Sequence, residues 1–83
     1  MQLEIKSEKK NEMQFVLKGE DHTFSNLLVD ELLKDNAVEI AQYDIAHPLT
    51  GHPVFYLRTK GTSPRDALKK AVKSIKKHAK DLQ

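Results

Sequence analysis

Apolar and polar residues alternate over the first twenty positions of the chain. Leu3 and Ile5 alternate with Glu4 and Lys6, and Met13, Phe15 and Leu17 repeat the pattern ten residues later. A period of two places one side-chain set on one face of a half-buried strand. The intervening run, SEKKNE at 7–12, is polar throughout and suits an exposed turn. The two strands therefore read as an antiparallel hairpin with a four- to six-residue connection, ended by Gly19.

The period changes at residues 19–33, GEDHTFSNLLVDELL. At about 100° per residue with Phe24 at zero, Leu28 and Leu32 fall within about 80° on one side and Leu27 about 60° away on the other. Val29 and Leu33 extend the arc to about 180°, so apolar residues span roughly 240° where a one-sided surface helix needs little more than about 100°. Asn26, Asp30 and Lys34 share the narrow face that remains. The helix is expected over about 23–34. Asp21 or Thr23 is its N-cap, Glu20 and Asp21 stand at the positive end of its dipole, and Asp35-Asn36 is its stop. One sheet does not cover such an arc, so a second helix or a partner must.

Residues 38–45 are β-branched and aromatic enough for a strand, but their phase is mixed. Val38 and Ile40 share one face and Tyr43 and Ile45 the other, which a bulge near Ala41 or cover on both faces would reconcile. The prolines and glycine of 47–53 make a turn, and 54–60 form a fourth strand with Val54 and Tyr56 on one face and Phe55, Leu57 and Thr59 on the other. Ser63-Pro64-Arg65-Asp66 then opens a second helix with serine at the cap, proline at the first position and an acid three residues on. Leu68, Ala71, Val72, Ile75, Ala79 and Leu82 form its apolar stripe, opposite Lys69, Lys70, Lys73, Lys76, Lys77 and Lys80. The order β-β-α-β-β-α predicts an α+β two-layer sandwich, a four-stranded antiparallel sheet with both helices on one face.

Composition narrows the picture. A chain of 83 residues is expected to form a single domain over 1–83, and with no cysteine it has no disulfide or thiolate metal site to reinforce a small core. No apolar run has the length of a membrane span and the N-terminus has no signal-peptide core, so the chain reads as intracellular, in the cytoplasm. The net charge of +2 is uneven. Residues 1–60 carry seven Lys/Arg against ten Asp/Glu, and 61–83 carry seven against two.

Candidate chemistry is sparse. His22, His47, His52 and His78 lack metal-ligand spacing, and Ser25, His22 and Asp21 are too close in sequence to assemble a triad. No catalytic residue, cofactor or metal is expected. The lysine face lacks interleaved aromatics, so it reads as an accessory, solvated surface, with Lys73, Lys76 and Lys77 dispensable for partner binding. A small basic nucleic-acid-binding module is the alternative function, although direct DNA contact is not the expectation.

The string Glu20-Asp21-His22-Thr23-Phe24-Ser25-Asn26-Leu27-Leu28, followed by Ala41 and Tyr43, by His47-Pro48-Leu49, and by Thr59 with a C-terminal amphipathic helix, resembles the small alpha-like subunits of multisubunit RNA polymerases. The resemblance runs end to end and is nearest to the short archaeal form, subunit L. It implies the dimerisation fold of the bacterial alpha subunit. It also implies pairing with the larger, D-type alpha-like subunit of RNA polymerase, with helices of both between two sheets. That heterodimer, with the small subunits N and P, would be the platform for the large subunits that hold the active site. Thr23, Asn26, Leu27 and Leu28 match the start of the family helix, whereas Val29 stands where arginine is frequent and Ala46 where proline is frequent. The expected partner surface comprises Phe24, Leu27, Leu28, Val29, Leu32 and Leu33 with Leu68, Val72 and Ile75. Within it, Phe24, Leu28 and Leu32 would face mainly the sheet and Leu27 or Leu33 the partner.

Overall fold

A computed structural model describes residues 2–19, 22–45 and 52–81, with side chains as far as Lys77. The expected motif residues Glu20, Asp21, His47, Pro48 and Leu49 lie outside the described residues, as does most of the turn at 47–53. The elements run β1 (Gln2–Glu8), β2 (Glu12–Lys18), α1 (His22–Leu33), β3 (Val38–Asp44), β4 (Val54–Thr59) and α2 (Pro64–Asp81). All strand pairs are antiparallel and the sheet order is β1-β2-β4-β3. This is the two-layer α+β arrangement expected from the pattern.

Register follows from which residues can share the buried face. Leu3 pairs with Leu17, Ile5 with Phe15, Phe15 with Phe55, Met13 with Leu57, Ala41 with Leu57 and Tyr43 with Phe55. Directly opposed residues point to the same side of a sheet, so these pairs form one continuous apolar surface. At its centre the Phe15 and Phe55 rings stack with centroids 4.9 Å apart and planes 1° from parallel, and Tyr43 leans on Phe55 at 5.5 Å. Leu28 and Leu32 of α1 and Ala67, Leu68 and Ala71 of α2 close the core from above.

Three expectations need correction. The β1–β2 connection is three residues, Lys9 to Asn11, not four to six. The polar residues Ser7 and Glu8 pair with Gln14 and Met13 after a one-residue shift between Ile5 and Ser7, and Lys9 N–H closes the turn on the Glu12 carbonyl at 2.7 Å. In β3 the irregularity lies between Val38 and Ile40, not near Ala41. Glu39 is the extra residue there, so Val38 points into the core while Ile40, 36% exposed, points out. Thr23 is the second residue of α1 and so does not cap it, and the other expected cap, Asp21, lies outside the described residues.

The helix ends otherwise follow the local chemistry. Asp35 stops α1, accepting the Ala37 N–H on its carboxylate at 2.9 Å and the Val38 N–H on its carbonyl at 3.0 Å. Ser63 Oγ accepts the Asp66 N–H at 3.2 Å, which makes it the N-cap of α2, with Pro64 buried at the first position. Gly61 just before it has φ +84° and Gly19 after β2 has φ +86°, conformations that favour glycine.

Two ionic clusters lie on β1. Glu4 bonds Lys18 and Lys6 at 3.0 and 3.1 Å, and Glu8 takes a two-pronged bond from Arg65 of α2 at 2.7 and 3.0 Å, which joins the hairpin to the last helix. The hydrogen bonds from Lys18 and Lys6 hold the Glu4 carboxyl below the usual carboxylate range, and the hydrogen bond from Arg65 does the same for Glu8.

Replacing Leu57, wholly buried on the central strand β4, by alanine should destabilise the chain by about 2–5 kcal/mol, read from the urea midpoint. Because Glu4 and Glu8 have lowered folded pKa values, their contribution is present above the ordinary carboxylate range and is lost as pH falls through the lowered values. Glu8→Gln should therefore reduce the loss of urea resistance between neutral and acid pH, with the neutral-pH midpoint only slightly lower.

Candidate partner interface

The cover over the sheet is lopsided. Helix α1 packs on the edge strand β3, and α2 packs beside it over β4 and β2. The hydroxyl of Ser74 on α2 donates to Glu31 of α1 at 2.6 Å, holding the helices side by side. Strands spaced about 4.8 Å apart make a sheet roughly 19 Å wide, which two helices about 9 Å apart could just cover if centred. They are displaced toward β3, so the inner face near β1 is open, with Leu3 49% exposed and Ile5 half-buried.

The opening is a groove of about 490 Å³. Leu3, Ile5, Met13 and Leu17 form its sheet floor, Phe24 and Leu28 line it from α1, and Leu68 and Val72 line it from α2. Along the α2 side Arg65, Lys69, Lys73 and Lys76 line it as well. The arrangement suits an apolar segment that would extend the helix layer.

The expected surface residues divide accordingly. Leu27 and Leu33 are 47% and 51% exposed, on opposite flanks of α1, and Phe24 and Val29 are half-buried. Leu28, Leu32 and Leu68 are buried in this chain's own core, and Leu28 and Leu68 also line the groove, whereas Leu32 does not. Val72 and Ile75 are half-buried, and Val72 alone of the two lines the groove. The 240° arc is thus narrowed by internal burial. Ser25, a residue with no apolar signal, occupies the centre of the inward face of α1 and is fully buried there.

The lysine face is divided by the groove. Lys69, Lys73 and Lys76 border the groove, whereas Lys70 and Lys77 do not. Positions 69, 73 and 76 recur at four and three residues and so form a single stripe next to the apolar one. A count of lysines opposite an apolar stripe does not reveal this, because it depends on which flank of α2 the rest of the chain leaves open.

His22 and Asn26, expected as family-motif residues, meet at β3. Tyr43 donates its hydroxyl proton to Asn26 Oδ1 at 3.1 Å, and His22 Nδ1 lies 3.0 Å from the tyrosine oxygen. With the tyrosine proton committed to Asn26, Nδ1–H of His22 is the donor to that oxygen. The trio fastens the first turns of α1 to the sheet edge. Ser25, three residues on from His22, is fully buried on the inward side of the helix. Among the described residues no group of three or more His, Asp or Glu side chains is arranged to hold a metal ion, and no helix is long and apolar enough to cross a membrane.

A small sheet half-roofed by two helices, with exposed leucines beside an apolar groove, describes a dimerisation module. The family model of the RNA polymerase Rpb3/Rpb11 dimerisation domain matches residues 12–83, and the chain belongs to that family. It is 45% identical over 75 residues to DNA-directed RNA polymerase subunit Rpo11 of Methanosarcina barkeri, covering 90% of this chain and 82% of that one. It is 40% identical over 85 residues to Rpo11 of Pyrococcus furiosus, covering 99% and 90%. The crystal structure of RNA polymerase subunit L from Thermoplasma acidophilum superposes with a TM-score of 0.86 at 37% identity, covering 98% of this chain and 80% of that one.

Because His22, Asn26 and Tyr43 can all turn to water, Tyr43→Phe should lower stability by no more than about 1 kcal/mol in thermal or urea unfolding. Amide exchange in the first turns of α1 should nevertheless quicken relative to its C-terminal half.

Proposed function

We propose that this chain is a non-catalytic assembly subunit of a multisubunit DNA-directed RNA polymerase, one folded unit over 1–83, acting in the cytoplasm. Its partner is the larger alpha-like subunit, the D type of archaeal polymerases. The heterodimer, with the small subunits N and P, forms the platform on which the large catalytic subunits assemble. The observation that carries this reading is the uncovered apolar surface in a member of a dimerisation-domain family: exposed Leu27 and Leu33 on α1, and the open groove over β1. A small chain without disulfides gains stability by covering such a surface. Phe24, Val29 and Val72, half-buried in the free chain, complete the contact. No cofactor or metal has a role in this subunit, and the polymerase chemistry belongs to the large subunits.

The test is co-expression with the larger alpha-like subunit followed by size exclusion. The two wild-type chains should co-elute. Leu27→Asp or Leu33→Asp should weaken the complex by several kcal/mol, because each places a carboxylate without a counter-ion in the contact. The free fold should change less, since both positions are about half exposed without the partner. A wild-type chain that elutes as a stable monomer and ignores the larger subunit overturns the proposal.

A further inference from the structure

Resting on that assembly reading, we infer that the groove is selective for charge: Lys69, Lys73 and Lys76 receive a row of carboxylates on the amphipathic helix of the larger alpha-like subunit that fills it. Five cations are paired among the described residues, and of those that are not, which include Lys9, Lys10, Arg58, Lys60 and Lys77, three line the groove. Arg65 is bonded to Glu8, Lys6 and Lys18 to Glu4, Lys34 to Glu31, and Lys70 lies 3.9 Å from Asp35. Lys69, Lys73 and Lys76 are exposed and, among the described residues, have no carboxylate within ion-pair distance. They stand in register, spanning about two turns or roughly 10 Å of α2. Among the described residues, the groove they border has no acidic lining residue.

An occupant seated on the apolar floor would bring these ammonium groups out of water. A neutral or basic segment would leave them desolvated without counter-charge, which disfavours it, whereas carboxylates at matching helical spacing would pair with all three. The groove lies above the sheet and beside α2, in the plane of the helix layer, so its occupant continues that layer as a helix. An added strand would pair with the edge of β1 and leave the groove unfilled.

The test compares the wild-type chain with the triple variant Lys69→Gln/Lys73→Gln/Lys76→Gln and the control Lys70→Gln/Lys77→Gln. Association with the intact larger subunit is followed by stopped-flow fluorescence from low to high salt, after circular dichroism has shown that each variant folds. The triple variant should associate about tenfold more slowly at low salt, with a flattened salt dependence, and the control should match wild type. If the triple variant keeps the wild-type rate and salt slope while Leu27→Asp still blocks assembly, charge selection is wrong and the assembly reading stands. If neither the triple variant nor the two leucine variants alter assembly, the contact lies elsewhere on the chain and charge selection by the groove is wrong, whereas a wild-type chain that does not bind the larger subunit overturns the assembly reading itself. Tight duplex-DNA binding by the isolated chain at physiological salt, lost in the triple variant, would make the stripe a nucleic-acid surface and overturn the inference.

Discussion

The position of α1 governs the rest of the structure. Its buried side, Ser25, Leu28 and Leu32, packs down at the β3 edge of the sheet, and α2 follows it through the Ser74–Glu31 bond. Every ångström of displacement toward β3 uncovers apolar surface near β1. The groove is therefore a property of where two helices sit on four strands, and no single residue makes it. The trio of Tyr43, His22 and Asn26 holds that displacement in place at the N-terminal end of α1, and the Asp35 turn holds it at the other.

What was legible in the sequence had short-range causes. Strict alternation at Met13, Phe15 and Leu17 and at Phe55, Leu57 and Thr59 identified the buried face of β2 and β4, because a one-residue slip would expose all of it. The Ser63-Pro64 start of α2 was legible because capping satisfies backbone amides within one turn. The position of the bulge at Glu39 is not legible, because Val38 and Ile40 are both apolar and their alternation alone cannot say which one faces the core. The burial of Ser25 is not legible because a buried serine leaves no mark in a hydrophobic pattern; it follows from helix geometry once Leu28 and Leu32 face inward.

The excess apolar surface of α1 was partly legible for the same reason. A 240° arc shows that a helix has more apolar surface than one sheet can cover, but not how much of it α2 takes. Leu28 and Leu32 go to the core, Phe24 and Val29 are shared, and only Leu27 and Leu33 remain largely in water. The groove over β1 was not legible at all. Leu3 and Ile5 look like ordinary strand residues until the sheet order and the placement of both helices are known.

The edge of β1 shows how a chain can leave apolar surface open and still avoid indiscriminate sheet pairing. The shift between Ile5 and Ser7 interrupts the ladder, and Glu4, Lys6 and Glu8 place charge along the strand. Such edges resist the addition of further strands. The open surface is thus directed upward, into the helix layer, and α2 is fixed above it by the Arg65–Glu8 bridge. In a chain this small, the apolar area left uncovered is a sizeable share of what could be buried, so occupancy of the groove and stability of the fold are linked quantities: a partner that binds only the folded state raises its stability in proportion to the logarithm of its concentration. On the proposed assembly, partner selection and folding are parts of one equilibrium.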